Sequence, residues 1–147
     1  MIIYIDADAC PVKDEVLEIA NRYERDLVMV SNGGIRPSRY PGARIVVVSD
    51  GADAADDWIV ENVAAGDVVV TGDIPLAARA LEQSAHVLGP NGRPFTNESI
   101  GAALSIRAFN QHLRETGESK GFNAAFTSAD RARFKQELNR LVMPQNR

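Results

Sequence analysis

Residues 1–11 of the chain read MIIYIDADACP, an apolar run that ends in two carboxylates and a proline. A run rich in β-branched and aromatic residues is typical of a buried strand, and Cys10-Pro11 followed by good helix formers is typical of a helix start. Asp6 and Asp8 are therefore predicted at the carboxyl end of the first strand. In open α/β sheets ligands bind at that edge, so two carboxylates there indicate a divalent cation or a phosphorylated substrate.

Two later segments repeat this pattern. Residues 46–51 read VVVSDG and residues 68–73 read VVVTGD, so aspartate follows three predicted strands. Between these segments, residues 53–60 read DAADDWIV, and the spacing puts the three aspartates on one face of a predicted helix. Each acid also suits a helix N-terminus, where it caps the helix or interacts with its dipole. Their shared edge nevertheless indicates a bound cation, because clustered carboxylates repel one another without one.

The segments of the chain alternate between strands and helices. The predicted elements are strands at about residues 2–6, 27–31, 44–49, 67–71 and 85–88, and helices at about residues 12–24, 53–65, 74–84, 98–115 and 127–142. Residues 89–94 are rich in glycine and proline and are predicted to form a loop. This alternation predicts one domain over residues 1–147, with a three-layer α/β/α fold, a mostly parallel sheet and the last two helices packed on it.

The composition excludes several classes of protein. The chain has 147 residues, one cysteine and two histidines, so it holds neither an internal disulfide framework nor a zinc site of the usual kind. The net charge of −4 counts against a nonspecific nucleic-acid binder. The first residues form a predicted strand rather than a signal peptide, and no apolar run approaches the length that crosses a bilayer. We expect a cytoplasmic protein without membrane association, and the sequence leaves its oligomeric state open.

The strand-end acids have alternative structural roles. Asp6 either binds a cation or caps a helix, and Asp8 either binds the cation or caps the helix that begins at Pro11. Asp73 either binds the cation or caps a helix that begins near Pro75. These alternatives stay open because a carboxylate at a strand end precedes a helix in each case.

Asp56 and Asp57 open the middle helix. Asp56 shares the apolar face with Ile59 and Val60 and is expected to point inward, whereas Asp57 is expected to face solvent or an outer shell of the site. Spacing alone leaves open which of the two is the ligand. The predicted catalytic residues are Asp6, Asp56 and Asp73. The predicted metal ligands are Asp6, Asp8, Asp56, Asp57 and Asp73.

Other polar groups near the strand ends are candidates to bind a phosphate. They are Lys13, Asn32, Arg36, Arg39, Ser49 and Thr71. Turn formation explains the hydroxyl and amide groups equally well, and a solvated helix or loop explains the basic ones. Tyr40 beside the two arginines favours single-stranded nucleic acid, because bases stack on aromatic rings.

Several carboxylates with almost no other catalytic side chains favour Mg²⁺ or Mn²⁺, which prefer oxygen ligands. Such a cation activates water and shields the charge of a phosphoryl group. The expected chemistry is therefore hydrolysis of a phosphodiester, which needs no histidine base.

Three segments carry a resemblance to a known family. They are YIDADACPVK at residues 4–13, SDGADAADDWI at residues 49–59 and TGDIPLA at residues 71–77. Over essentially its whole length the chain resembles the uncharacterised bacterial YaiI/YqxD family, which is grouped with PIN-like, NYN-related domains. The resemblance implies a three-layer α/β/α fold and, by analogy, a metal-dependent ribonuclease.

The resemblance also implies site residues. The acid that ends the first strand corresponds to Asp6, the acid that opens the middle helix to Asp56 or Asp57, and the acid after the fourth strand to Asp73. Asp8 and Asp53 fall outside this correspondence.

Two other functions compete with the nuclease. Asp6-Ala-Asp8 and residues 27–32 resemble motifs of haloacid-dehalogenase-type phosphatases, in which Asp6 would be the nucleophile. However, Gly72-Asp73 is not followed by the second acid of that family, and no lysine precedes it closely. The other alternative is a catalytically silent module that binds RNA or protein.

Overall fold

Six strands pair into a single sheet in the part of the chain described by a computed structural model, which covers residues 1–7, 10–31, 42–48, 54–101 and 127–143. The strands are β1 Ile2–Asp6, β2 Asp26–Ser31, β3 Ala43–Val47, β4 Val68–Val70, β5 His86–Leu88 and β6 Pro94–Phe95. Their order is β3-β2-β1-β4-β5-β6, and every pair is parallel except the last, β5–β6. The predicted α/β class with a mostly parallel sheet is confirmed.

Three described helices connect parallel strands: α1 Lys13–Arg22 lies between β1 and β2, α2 Ala54–Asn62 between β3 and β4, and α3 Ile74–Glu82 between β4 and β5. After β6, residues 97–101 are helical and are named α4, and α5 spans Ser128–Val142. The last helix begins where the sequence predicts, because Thr127 forms a capping box with Asp130. The Thr127 side chain accepts from the Asp130 N–H, and the Asp130 carboxylate accepts from the Thr127 N–H. No described helix is both long enough and apolar enough to span a membrane.

The helices cover both faces of the sheet and so form three layers. Ile3 and Ile5 of β1 pack with buried side chains of α1 and α5, whereas Tyr4 packs with those of α2 and α3. This alternation follows from the strand geometry, in which successive side chains point to opposite faces. The predicted three-layer α/β/α arrangement is therefore confirmed.

Two local predictions are corrected. The helix predicted to begin at Pro11 starts at Lys13, with Val12 as its N-cap residue and no side-chain cap. Pro94, which was expected in a loop, instead begins β6 and pairs with Leu88 of β5. The Gly89 N–H donates to the Arg93 carbonyl at 2.9 Å and closes this hairpin. A proline is tolerated in β6 because the strand lies at the sheet edge, where no ladder hydrogen bond is lost.

A buried carboxylate joins β1 to the start of β4. Asp67 is 6% exposed. Its Oδ1 accepts from the Ile2 N–H at 3.0 Å and its Oδ2 accepts from the Ala64 N–H at 2.9 Å. Both oxygens of this buried group are thus satisfied, as burial of a polar group requires. Asp67 helps to fix β1 beside β4.

The β5–β6 turn packs directly on the backbone of α5. Gly92 has φ +85°, and a Cβ built on it would lie 2.6 Å from both the Arg133 carbonyl carbon and the Phe134 nitrogen. We expect G92A to destabilise the protein by at least about 2 kcal/mol, since it adds a steric clash to left-handed strain. Urea unfolding measures this change.

Gly66 supplies the matched control for G92A. It has φ +87°, but a Cβ there would meet nothing within 4 Å. G66A should therefore lose only about 1–2 kcal/mol through backbone strain. Equal losses in the two variants would contradict close packing of the turn on α5.

The capping box of α5 predicts a pH dependence. Hydrogen bonds from Thr127 lower the pKa of Asp130 below its ordinary value of 3.8. A carboxyl whose pKa is depressed in the folded state stabilises that state above the unfolded pKa, and this contribution disappears as the pH falls through the folded pKa. We expect D130N to be less stable than the parent at pH 6, with a difference that shrinks below pH 3.8. Urea unfolding across this range would contradict the prediction if the difference stayed constant.

Candidate functional site

The carboxyl ends of β1 and β4 form the switch point of the sheet. These strands are neighbours in the sheet. After β1 the chain continues to β2 on one side, and after β4 it continues to β5 on the other side. The following helices cover opposite faces, since α1 packs on one side of the sheet and α3 on the other. Diverging connections leave a crevice between the two strand ends, and ligands of open α/β sheets bind in such crevices.

A cleft of about 130 Å³ occupies this position. Of the described residues, those from three segments line it: the end of β1 with the turn after it, the β4–α3 connection, and the β5–β6 turn. These residues are Asp6, Cys10, Val70, Thr71, Gly72, Asp73 and Pro90. The volume is below the roughly 300–1,000 Å³ of pockets that enclose drug-sized ligands. The cleft therefore suits a hydrated cation or a single phosphate group rather than an enclosed nucleotide.

Asp6 contributes a half-buried carboxylate to the cleft. It is the last residue of β1 and lies opposite Val30 of β2. Because side chains alternate along a strand, Asp6 belongs to the sheet face that carries Tyr4, which α2 and α3 cover. The β4 strand pairs with β1 up to Val70, so Asp6 and the β4–α3 connection meet at one edge.

Asp73 lines the same cleft and also caps α3. Its Oδ1 accepts from the Leu76 N–H at 3.0 Å, which confirms the capping interpretation. Its own N–H donates to Thr71 Oγ1 at 2.9 Å, so the threonine hydroxyl holds the turn. Capping engages one carboxylate oxygen, and Oδ2 is the atom that could hold a cation.

Cys10 supplies a thiol to the cleft. The pKa of Cys10 is raised to about 11, chiefly by burial and to a smaller extent by the carboxylates of Asp6 and Glu15, against the lowering effects of the Val12 backbone hydrogen bond and the Lys13 ammonium. Without a bound metal ion the thiol is therefore protonated at neutral pH. Lys13 is the first residue of α1 and is half-buried, close enough to act on this thiol.

Asp56 and Asp57 open α2 but are not among the residues that line the cleft. Asp56 is half-buried, whereas Asp57 is exposed and pairs with Arg79 of α3 at 2.9 Å. The two acids therefore differ as the helical periodicity predicts. The structure brings Asp6 and Asp73 together in the cleft. The predictions for Asp8, Asn32, Arg36, Arg39 and Ser49 concern positions outside the described residues.

The donor chemistry of the cleft fits a hard cation. Asp6, Asp73 and Thr71 offer oxygen atoms, which Mg²⁺ and Mn²⁺ prefer. Within the described ranges no three acids, histidines or cysteines are grouped to hold a metal. Two carboxylates suffice for Mg²⁺, which is usually bound by one or two, together with water and substrate phosphate. A Cβ on Gly72 would lie 3.7 Å from the Pro90 ring, so glycine keeps the space between these two lining segments open.

Sequence reasoning missed two contributors to this region. Pro90 reaches the cleft from the β5–β6 turn, and no local pattern predicts that this hairpin folds back to the switch point. Glu15 is a carboxylate whose side chain is 12% exposed, and it pairs with Arg131 of α5 at 2.6 Å. Its place in the first turn of a helix resembles that of an ordinary solvated acid, so the sequence contains no signal for its burial.

Comparison with known proteins gives related sequences over nearly the whole chain. The chain is 65% identical over 140 residues to UPF0178 protein mlr0875 of Mesorhizobium japonicum, covering 95% of this chain and 90% of the relative. It is 55% identical to UPF0178 protein R01393 of Rhizobium meliloti over 140 residues, with coverage of 95% and 96%. A UPF0178 protein of Caulobacter vibrioides is 48% identical over 145 residues, with coverage of 99% and 95%.

Comparison with solved structures gives no match. A family model described as "Uncharacterized BCR, YaiI/YqxD family" matches residues 4–144, a range that includes the described lining residues of the cleft. With this match and relatives more than half identical over most of their length, the chain belongs to the YaiI/YqxD family.

Proposed function

We propose that this protein is a divalent-metal-dependent nuclease that hydrolyses RNA phosphodiester bonds in the cleft between β1 and β4. The observation that carries the proposal is that Asp6 and Asp73, from separate segments, line one small cleft at the switch point of the sheet. Two carboxylates in so small a space favour a cation. An RNA phosphate is the substrate group whose size and charge suit a cation held there.

Each lining group has a role in this proposal. Asp6 and Asp73 hold Mg²⁺ or Mn²⁺, and the Thr71 hydroxyl keeps Asp73 in place through its backbone N–H. The bound cation supplies Lewis-acid polarisation of the phosphoryl group and activation of water. Lys13 attracts the phosphate electrostatically from the start of α1. Cys10 lines the same cleft and takes no covalent part in hydrolysis by an activated water.

The RNA lies across the protein surface, because the cleft accepts a phosphate and no whole nucleotide. The Arg36 and Arg39 segment, with Tyr40, is proposed to bind the neighbouring nucleotides by ion pairs and stacking. We place the activity in the cytoplasm, a location that suits a chain with a single, unpaired cysteine.

The first test is cleavage of a fluorescently labelled single-stranded RNA by the purified chain. We expect cleavage with Mn²⁺ or Mg²⁺ and none after chelation with EDTA. The variant D6N should lose activity by on the order of 100-fold or more, because a neutral amide is a poor cation ligand. Thermal unfolding should show that D6N remains folded.

The matched control for D6N is D26N. Asp26 is an exposed aspartate at the start of β2. It therefore lies at the amino ends of the parallel strands, whereas the cleft lies at their carboxyl ends. Its substitution should leave cleavage unchanged. If D6N cleaves RNA as fast as D26N, the proposed site is misplaced. Trapping of a phosphate mimic on Asp6, together with turnover of a generic phosphomonoester, would instead support the phosphatase. RNA binding without turnover under any metal would support the silent module.

The second test separates the two roles of Asp73. Asparagine caps a helix about as well as aspartate, so D73N should keep the stability of the parent but lose most of the activity. Alanine removes both functions, and D73A should in addition lose about 1 kcal/mol of unfolding free energy. Cleavage assays and urea unfolding of both variants measure these effects. Full activity in D73N would show that Asp73 is only a cap.

A further inference from the structure

The first turns of α5 contact two of the three segments that line the cleft. Arg131 Nη1 donates to the Pro11 carbonyl at 3.3 Å, directly after the lining residue Cys10. Arg133 Nη1 donates to the Asn91 carbonyl at 3.3 Å, directly after the lining residue Pro90. One helix thus holds both the β1–α1 turn and the β5–β6 turn. We call Arg131, Arg133 and these contacts the α5 anchor.

Backbone packing reinforces the contact to the β5–β6 turn. A Cβ on Gly92 would lie 2.6 Å from the carbonyl carbon of Arg133. The same Cβ would lie 2.6 Å from the Phe134 nitrogen and 2.7 Å from Arg133 Cγ, so the turn packs directly on the helix at this point. The position of Pro90 in the cleft therefore follows the position of α5.

Electrostatics make the contact to the β1–α1 turn depend on Arg131. The Arg131 Nη1 atom lies 2.6 Å from Glu15 Oε1, and the Glu15 side chain is 12% exposed. Among the described residues, Glu15 Oε2 is buried without a hydrogen-bond partner. Arg131 is therefore the cation that compensates an almost fully desolvated carboxylate. Removing one partner of such a pair leaves an unpaired charge, which the chain relieves by exposing it to water.

We propose that Arg131 is a positioning residue of the cleft, because it fastens the segment from Cys10 to Glu15 onto α5 and so sets where that lining segment stands relative to Asp6 and Pro90. The inference rests on the proposed function in taking this cleft as the reactive site. Arg131 itself is 43% exposed and acts through Pro11 and Glu15. Its role is distinct from that of Asp6 and Asp73, which would touch the cation.

The single cysteine provides a readout that does not depend on RNA cleavage. Cys10 lines the cleft next to Pro11, and it is the one cysteine of the chain. Alkylation by iodoacetamide at a fixed pH, followed by mass spectrometry, therefore reports how often this segment opens. In the parent the reaction should be slow relative to the urea-unfolded chain, since the thiol is partly buried.

The test compares R131A with R140A in the folded full chain. Arg140 is in the same helix but pairs only locally, with Glu137 at 2.8 Å, three residues earlier. We expect R131A to raise the alkylation rate of Cys10 on the order of tenfold, whereas R140A changes it less than about twofold. R131K should restore most of the protection, because an ammonium still compensates Glu15. An alkylation rate in R131A equal to that in R140A would overturn the inference.

A second control excludes a merely structural effect. I59A removes a buried side chain from α2, in the layer on the other face of the sheet. The comparison is made between R131A and I59A at equal melting temperature. If Cys10 is alkylated no faster in R131A than in I59A, general destabilisation explains the result and the inference fails. If R131A does not fold, R131Q gives the same comparison, because glutamine can donate to Pro11 but leaves Glu15 without a counter-charge.

RNA cleavage by the same variants completes the experiment. We expect kcat/KM to fall at least about tenfold in R131A, to recover in R131K and to stay unchanged in R140A. Faster alkylation with normal cleavage in R131A would overturn the positioning role. Faster alkylation together with no cleavage by the parent under any metal would instead reject the proposed nuclease and leave the α5 anchor as a structural finding.

Discussion

The parallel pairing of β1 with β4 is the constraint on which the candidate site depends. In this register Ile3 lies opposite Val68 and Ile5 lies opposite Val70, so the two strands end within one residue of each other. A slip of one residue would move every side chain of β1 to the other face of the sheet. The buried core sets this register, and Asp67 supports it by accepting from the N–H of Ile2. Asp6 and Asp73 meet only because this pairing holds.

The cleft shows how one carboxylate combines a structural and a chemical role. One carboxylate oxygen of Asp73 caps α3, and the turn that contains Asp73 also places this residue at the cleft. A helix N-terminus tolerates this charge because its dipole is positive there. By contrast, Asp57 is engaged by Arg79 in an exposed pair, which contributes little to stability. Two aspartates at helix starts thus have different roles, because different groups surround them.

The helix α5 connects the outer layer of the fold to the site. Its buried side chains, Phe134, Leu138 and Val142, belong to the core on the α1 face of the sheet. Its far end is tied to α1, because Asn139 accepts from Arg22 and Tyr23. Its first turns contact the two turns beside the cleft. Packing in this layer therefore helps to keep the residues around the cleft in one arrangement. A reactive site requires such preorganisation.

Local sequence patterns were sufficient for the class of the fold and for part of the site. The Val-rich runs that end in Asp6 and in Thr71-Gly72-Asp73 identify buried strands and their polar ends, since strand and cap preferences act over a few neighbouring residues. The same patterns predicted a helix at about residues 127–142, which α5 confirms, and the difference in exposure between Asp56 and Asp57. They missed the short strand β6, because its proline is a loop signal everywhere except at a sheet edge.

Tertiary structure alone decided which of these polar ends meet. Strand order places β4 beside β1, which brings Asp73 to Asp6, and the lining of that cleft includes Pro90 but not Asp56. The contact between Arg131 and Glu15 joins residues 116 positions apart. Neither the lining of the cleft nor this ion pair can be predicted from residues adjacent in sequence. Both depend on how the helices pack on the two faces of the sheet. The amino-acid order therefore determined the elements and their chemical groups, and the packing of the layers determined the site.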